Sequence, residues 1–392
     1  MINLTQAVML VSAPVKYLYL LINWECFQML TRRGFVGMIA AGFSEAALAQ
    51  RAAVITAPPG SVWLNANEYP EGPPRASITA MLKVLNGSNR YHYDEFTSFY
   101  ATLAASLNLE ANNILVGAGS SEVLHCAVDT FVTSKRPFIT SLPTFEAGPE
   151  LATAKGHPVI KIPLRDDYSA NVKSLAREAA RAGGGLIYIC NPNNPTSSIT
   201  TAKDIRWLAD NLPPKTYLLV DEAYIHFTES PKAVSAIDLV RKGKNVIVSQ
   251  TFSKIYSMAG LRVGFVAAPP ELIKRMTPYR NNVISIVGVR AVLAALDLGP
   301  RFIQERRARI ARTRSDLTDW CREKQIKYIE PHANFIMIDT GRDVRKVSEA
   351  LVAKGIVPGR PFPPYHTRVR ITIAAESDMI KFKGVLGELL GV

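Results

Sequence analysis

The sequence predicts an α/β protein with a mainly parallel sheet that is flanked by helices. Three short apolar runs, at residues 185–190, 217–220 and 245–249, have the unbroken hydrophobic character of strands buried on both faces. Each run is followed by polar residues, which in open α/β sheets lie where ligands bind. A further segment, residues 114–124, is typical of a strand, a glycine-rich turn and the start of a helix.

Composition limits the class of protein. The chain has 392 residues, of which 48% are hydrophobic, so it is long enough for a large core and two domains. Its formal net charge is +13, but the basic residues are scattered, which favours a solvated basic surface over nucleic-acid binding. The four cysteines show no CxxC pair and no metal-binding spacing. We therefore expect neither a nucleic-acid partner nor a metal.

Lys254 follows the third apolar run, with Ser253 beside it and Arg262 a short distance further on. A lysine amine whose pKa is lowered by burial or by nearby cations is a nucleophile that can form a Schiff base with a carbonyl. Ser253 and Arg262 are suited to bind a phosphate. Pyridoxal 5′-phosphate (PLP) combines an aldehyde with a phosphate. The alternative, a surface lysine in a hydroxyl-rich loop, is disfavoured by the rest of the chain.

Residues elsewhere in the chain match the needs of the PLP ring. Asp221 follows the second apolar run, and a carboxylate there would keep the ring nitrogen protonated so that the ring acts as an electron sink. Asn194 and Tyr224 are able to hydrogen-bond the ring hydroxyl. Phe145 offers an aromatic face for stacking.

The glycine-rich turn offers a cradle for the phosphate. Gly119 precedes Ser120 and Ser121, where the predicted helix begins. Free backbone N–H groups and the helix dipole favour an anion at such a position. Turns of this kind are common and by themselves indicate little. Followed along the chain by the segment around Lys254, this turn indicates a phosphate site.

These motifs resemble the fold-type I PLP-dependent aminotransferases of class I/II, and within them the histidinol-phosphate aminotransferase branch. The resemblance implies a large domain with a mainly parallel sheet, a small α+β domain and PLP as cofactor. It covers residues 60–392. The motifs that carry it are residues 64–68, 119–122, 143–145, 191–196, 220–224, 253–254, 259–262, 333–335 and 369–372.

The resemblance implies a role for each matching residue. Lys254 would hold the cofactor and move a proton, with Asp221 and Tyr224 as the other catalytic residues. Arg370 would grip the substrate α-carboxylate as a two-pronged fork, a geometry that lysine cannot reproduce. The remaining cofactor-binding residues would be Asn194 and Phe145 at the ring and Ser120, Ser121, Ser253 and Arg262 at the phosphate.

Further binding residues are expected outside these motifs. Arg360 is a candidate for binding a second anion of the substrate, and Arg370 is the alternative. Tyr69 belongs to the N-terminal segment that covers the site in relatives. A tyrosine at position 91 or 93 should reach the phosphate of a neighbouring subunit, and we favour Tyr93. The resemblance therefore implies a homodimer with shared active sites.

The chain departs from the family pattern at three positions. Ser197 stands where a glycine is usual, so this turn is expected to differ slightly, since glycine adopts positive φ without strain. Phe145 stands where relatives often have tyrosine, and His92 stands where proline is common. The last departure leaves the choice between Tyr91 and Tyr93 open.

The predicted activity is transfer of an amino group from an amino acid, or from an amine like histidinol phosphate, to a 2-oxo acid by a ping-pong mechanism. The alternative on the same scaffold is a decarboxylase of the threonine-phosphate type or an amino-acid racemase. A cofactor-binding regulator would carry a DNA-binding domain, for which the chain has no room. Histidine biosynthesis is a cytoplasmic task, so for an exported enzyme we favour a broad or unidentified amino-acid substrate.

The chain is expected to divide into a leader (residues 1–50), an N-terminal arm (51–75), a large PLP-binding domain (76–275) and a small C-terminal domain (276–392). Residues 8–24 are apolar but are interrupted by Pro14 and Lys16, which makes them a poor spanning helix. This leaves open a translation start at Met29, or a membrane anchor or disordered tail formed by residues 1–28.

The leader has features of a twin-arginine export signal. Arg32 and Arg33 precede an apolar stretch at residues 37–43, and a small-x-small pattern at residues 47–49 offers a cleavage site before Gln50. This export route carries folded proteins, which suits an enzyme that binds its cofactor in the cytoplasm. We therefore expect a periplasmic or otherwise exported enzyme, and a cytoplasmic one if the leader is not used.

Overall fold

The computed structural model describes residues 56–281 and 283–392, and residues 57–392 form one compact unit. The predicted leader and the start of the arm lie outside the described residues. The strands are β1 (Val62–Leu64), β2 (Ile114–Ala118), β3 (Phe138–Leu142), β4 (Val159–Pro163), β5 (Gly185–Cys190), β6 (Thr216–Asp221), β7 (Val246–Thr251), β8 (Val263–Ala267), β9 (Lys327–Ile329), β10 (Phe335–Asp339), β11 (Ile356–Pro358) and β12 (Arg368–Thr372).

The α-helices alternate with these strands through most of the chain. They are α1 (Arg75–Leu85), α2 (Tyr93–Ser106), α3 (Ser120–Phe131), α4 (Ala147–Ala154), α5 (Val172–Arg181), α6 (Ala202–Asp210), α7 (Ile237–Arg241), α8 (Pro270–Met276), α9 (Ile286–Leu296), α10 (Gly299–Glu323), α11 (Val344–Ala353) and α12 (Glu376–Leu390).

The larger sheet has seven strands in the order β2-β8-β7-β6-β5-β3-β4. Strand β8 is antiparallel to both of its neighbours, and the other pairs are parallel. The predicted α/β class with a mainly parallel sheet is confirmed. In register, Cys190 pairs with Asp221 and Asp221 pairs with Ser249, so the carboxyl ends of the three central strands lie side by side.

Both faces of this sheet are buried, as the unbroken apolar runs predict. In β5, Leu186 and Tyr188 belong to the core on one face, which also holds residues of α3. Ile187 and Ile189 belong to the core on the other face. The two-residue repeat of a strand therefore divides one apolar run between two cores.

A third core surrounds a separate three-stranded antiparallel sheet in the order β12-β10-β9. Strand β1 of the arm pairs in parallel with β11, which joins the arm to the C-terminal part of the chain. Helix α9 contributes Ile286, Val289 and Val292 to a core of the larger sheet. The predicted domain boundary between residues 275 and 276 therefore precedes a helix that packs with the larger sheet.

Ser197 connects the loop after β5 to the loop before β10. Its φ of 61° lies in the left-handed region, where a residue other than glycine is unfavourable. Its hydroxyl oxygen accepts hydrogen bonds from the backbone N–H groups of Ala333 (2.9 Å) and His332 (3.1 Å). Serine thus keeps the turn that glycine would form and uses its side chain to tie the two sheets together.

Candidate active site

A cavity of about 180 Å³ lies at the carboxyl ends of the central strands. Its walls come from the start of α3, the loop after β3, the ends of β5 to β7 and the segment around Lys254. The predicted site residues among its lining are Ser120, Ser121, Phe145, Asp221, Tyr224, Ser253, Lys254 and Arg262. The fold therefore brings together most of the residues that the sequence assigned to one cofactor.

One end of the cavity is suited to an anion. Helix α3 begins at Ser120, and Gly119 before it has a φ of 82°. A side chain at position 119 would overlap the guanidinium of Arg262, so the glycine lets this cation approach the helix start. Arg262 is held there by a hydrogen bond that its Nη1 donates to the Ala259 carbonyl (2.9 Å). Free N–H groups, the helix dipole and a guanidinium together fit a phosphate.

Asp221 is a buried residue of the cavity wall. Its Oδ2 accepts a hydrogen bond from the Tyr188 hydroxyl (2.9 Å), whereas its Oδ1 has no hydrogen-bond partner of ordinary geometry among the described residues. Burial raises the pKa of Asp221 to about 6, and the bond from Tyr188 opposes that rise. A buried carboxylate oxygen without a partner is costly unless a ligand donates to it, and a protonated ring nitrogen is such a donor.

Tyr188 was not singled out from the sequence. It belongs to β5 and faces the same core as Cys190, which lines the cavity. Alternation along the strand places Tyr188 and Cys190 on one face and is the signal that points to this tyrosine.

Lys254 projects from the cavity wall beside the arm. Its Nζ donates a hydrogen bond to the Ala66 carbonyl (2.9 Å) and lies 5.5 Å from the centroid of the Tyr224 ring. Burial, with help from the charges of Arg370 and Arg262, lowers the pKa of Lys254 to about 8. A larger share of this amine is therefore neutral and nucleophilic near neutral pH than for an ordinary lysine.

Arg370 reaches the site from the smaller sheet. Its Nη1 donates to Asn194 Oδ1 (2.6 Å) and its Nη2 donates to the Asn65 carbonyl. Its Nε is buried without a hydrogen-bond partner among the described residues. Burial lowers the pKa of Arg370 to about 10, so the side chain remains charged near neutral pH. The free Nε–H can donate to a carboxylate.

Asn67 was also not assigned a role from the sequence, although it belongs to the first family motif. Its Nδ2 donates to the Tyr224 hydroxyl (3.2 Å). Its own N–H donates to the hydroxyl of Thr372 (3.0 Å) at the end of β12. Asn67 therefore links a tyrosine of the cavity to the smaller sheet.

Four other candidate residues, Tyr69, Tyr91, Tyr93 and Arg360, do not line this cavity. Tyr69 is buried and does not line the cavity. The centre of the Arg306 guanidinium lies over the Tyr69 ring, 4.3 Å from the ring centroid. The arm instead contributes the backbone carbonyls of Ala66 and Asn65, which accept hydrogen bonds from Lys254 and Arg370. Tyr91 and Tyr93 are 72% and 64% exposed, with their rings stacked 5.1 Å apart. Arg360 forms an ion pair with Glu146.

Neither a membrane span nor a metal cluster is found in the part of the chain that the structure describes. No described helix is both long and apolar enough to cross a bilayer. Within the same residues, no group of three or more His, Cys, Asp or Glu side chains is arranged to hold a metal ion.

A lysine of lowered pKa, a buried carboxylate and an anion-binding helix start around one cavity define a PLP-dependent enzyme of fold type I. The model of the family "Aminotransferase class I and II" matches residues 59–382. The chain belongs to this family.

Individual relatives agree with this assignment. The histidinol-phosphate aminotransferase of Symbiobacterium thermophilum is 31% identical over 333 residues, which cover 84% of this chain and 91% of the relative. The aromatic amino acid aminotransferase of Cutibacterium acnes is 30% identical over 322 residues, covering 81% and 90%. The crystal structure of histidinol-phosphate aminotransferase from Sinorhizobium meliloti in complex with pyridoxal-5′-phosphate matches with a TM-score of 0.78 at 27% identity, covering 84% and 91%.

The protein is therefore a PLP-dependent aminotransferase of the histidinol-phosphate aminotransferase-like branch. The predicted fold, cofactor and reaction class are confirmed, and the decarboxylase or racemase alternative is not favoured.

The lowered pKa of Lys254 predicts how the cofactor-free protein captures PLP. The rate of covalent attachment is expected to rise with pH and to level off above about pH 8, because only the neutral amine attacks the aldehyde. Stopped-flow visible absorbance after mixing cofactor-free protein with PLP measures this rate, with Nα-acetyl-lysine as the reference amine. A rate that kept rising to about pH 10, as for an ordinary lysine, would contradict the assignment.

Proposed function

We propose that Lys254 binds PLP covalently, that Asp221 faces the ring nitrogen, and that the start of α3 with Arg262 holds the phosphate. The observation that carries this assignment is the Oδ1 of buried Asp221, which has no hydrogen-bond partner among the residues described and lines the same cavity as Lys254 and the start of α3. Phe145 lines the same cavity and supplies an aromatic face for stacking. Ser120, Ser121 and Ser253 add hydroxyl groups at the phosphate end.

When bound, PLP supplies an electron sink that stabilises negative charge at the substrate Cα. Once the substrate amine has displaced it from the cofactor, the free Lys254 amine would take the Cα proton. Burial lowers the pKa of this amine to about 8, which suits a general base near neutral pH. Asp221 would stabilise the positive charge of the protonated ring nitrogen by Coulomb attraction and a hydrogen bond. Tyr224 and Asn194 orient the ring hydroxyl.

Arg370 is proposed to bind the substrate α-carboxylate. Its charge supports this role, as does its Nε, which has no hydrogen-bond partner in the described part of the chain. An arginine also offers the paired donors that a carboxylate requires. An α-carboxylate anchor favours amino acids as donors and 2-oxo acids as acceptors. The named relatives act on histidinol phosphate and on aromatic amino acids, and we propose a broad amino-acid specificity here.

A donor screen tests this function. Purified holoenzyme is expected to transfer the amino group of several amino acids to 2-oxoglutarate, measured as glutamate formed. Lys254→Ala should lose at least about 1,000-fold in turnover, because it removes both the attachment point and the base. Lys274→Ala, on the exposed side of α8, is the matched control and should keep full turnover. Release of CO₂ or racemisation of the donor, in place of glutamate formation, would overturn the proposal.

We propose that the protein is a homodimer with shared sites, in which Tyr93 reaches the phosphate of the neighbouring subunit. Tyr93 and Tyr91 are exposed and do not line the cavity of their own subunit. Helix α1 nearby in sequence exposes Leu82 and Leu85. Exposed apolar side chains of this kind favour burial against a partner.

Complementation between inactive variants tests the shared site. Co-expressed Lys254→Ala and Tyr93→Phe subunits are expected to form heterodimers with one intact site, since that site combines a native lysine with a native tyrosine. Activity should then exceed the sum of the two separate variants. Tyr91→Phe in place of Tyr93→Phe is the matched control. If activity were recovered in heterodimers with Tyr91→Phe but not with Tyr93→Phe, Tyr91 would be the residue that reaches the neighbouring phosphate. A fully active monomer in sedimentation would reject the shared site.

Export by the twin-arginine route is proposed from the leader. The pattern around Arg32 and Arg33 and the small residues at 47–49 support it. The cavity residues begin well after this leader, so cleavage before Gln50 removes none of them.

Replacement of Arg32 and Arg33 by lysine is expected to leave the protein folded and active but to retain it in the cytoplasm. Fractionation with activity assays measures the distribution, and N-terminal sequencing of the native protein should give Gln50. A cytosolic native protein that keeps residues 29–49 would contradict export.

A further inference from the structure

Arg360 and Arg370 flank a single aromatic ring beside the active site. The centres of their guanidinium groups lie 4.1 and 4.7 Å from the ring centroid of Phe362. Arg360 follows β11, and its Nη1 donates to the Pro361 carbonyl (3.0 Å). If Arg370 holds an α-carboxylate, as proposed above, Arg360 is the cation placed to meet the far end of the same substrate.

The Nη2 of Arg360, however, already donates to the Glu146 carboxylate. Glu146 directly follows Phe145, which lines the cavity. Although Glu146 precedes helix α4, its side chain makes no capping bond to that helix. The carboxylate is instead committed to Arg360.

Both charges of this pair act inside the site. Burial is the main cause of the lowered pKa of Arg370, but the charge of Arg360 lowers it further and that of Glu146 opposes this. Glu146 also helps to raise the pKa of Cys190, a residue of the cavity wall, where burial is again the main cause. The pair lies beside the site, because Glu146 follows Phe145 of the cavity wall and Arg360 shares the Phe362 ring with Arg370.

We propose that Glu146 is a specificity-determining residue that acts as an internal competitor for Arg360. Its carboxylate occupies the position where a negatively charged end of a substrate side chain would bind. The site consequently prefers substrates whose side chain ends without charge over those that end in a carboxylate or phosphate.

The physical reason is competition followed by repulsion. A distal anion has to displace Glu146 from Arg360 and then lies near the displaced carboxylate, a like charge that weakens binding. A neutral side chain disturbs neither group. The two side chains are 51% and 29% exposed, so the pair is screened by solvent. Because exposed ion pairs contribute little free energy, the competition is expected to change the equilibrium constant for substrate binding by at most about fivefold.

Glutamate and glutamine are matched probes, because they differ in the charge of the distal group and hardly in size. With pyruvate as acceptor, Glu146→Gln is expected to raise the ratio of kcat/KM for glutamate over glutamine by about three- to fivefold. The ratio cancels general losses of activity. Glu305→Gln, which removes a carboxylate paired with Arg301 on α10, is the matched control and should leave the ratio unchanged.

Two further variants keep the test decisive. Arg360→Gln leaves Glu146 without its partner and should lower the ratio below that of the wild type. Adding Arg360→Gln to Glu146→Gln should remove the gain, because no cation is left to bind the distal anion. An unchanged ratio in Glu146→Gln, or an equal gain that persists without Arg360, would overturn the proposal.

A binding measurement separates this proposal from the assignment of Arg370. Calorimetry on the holoenzyme should show tighter binding of glutarate to Glu146→Gln and no change for glutaramate, its half-amide. Equal changes for both ligands would overturn the role of Glu146. If Arg370→Gln left the binding of both ligands intact, the α-carboxylate assignment itself would fail.

Discussion

The parallel register of β5, β6 and β7 is the constraint on which the site depends. Cys190, Asp221 and Ser249 are paired across these strands, so their polar ends meet at one edge of a sheet that is otherwise buried on both faces. Asp221 can therefore be deeply buried and still reach a cavity, with the Tyr188 hydroxyl fixing one of its oxygens. A slip of one residue in β6 would turn Asp221 towards the opposite face.

The second constraint is the connection between the two sheets. Arg370 from the smaller sheet bonds to Asn194 from the larger one, and Ser197 bonds to the backbone before β10. These bonds place the proposed carboxylate-binding group against the proposed cofactor-binding groups. Arm residues complete the arrangement, since Asn67 bonds to both Tyr224 and Thr372.

The sequence predicted the fold class and most of the residues that line the cavity, because these features are local. Apolar strands followed by polar residues, and a glycine before a helix start, can be recognised from short segments of the sequence. The Glu146–Arg360 pair joins residues 214 positions apart, and no local pattern indicates it. The burial of Tyr69 against Arg306 also depends on packing between distant segments, so its absence from the cavity was not foreseen.

The pairing of the arm with the C-terminal part of the chain bears on the order in which the molecule assembles. Asn67 and its partner Thr372 are 305 positions apart, and β1 pairs with β11 across a similar length of chain. During synthesis, the seven-stranded sheet can form before the arm's two partners, strand β11 and Thr372, have been made. Long-range contacts of this kind are formed late and slow the final steps of folding. The part of the site that Arg370 and the arm supply can thus be completed only after nearly the whole chain has been synthesised.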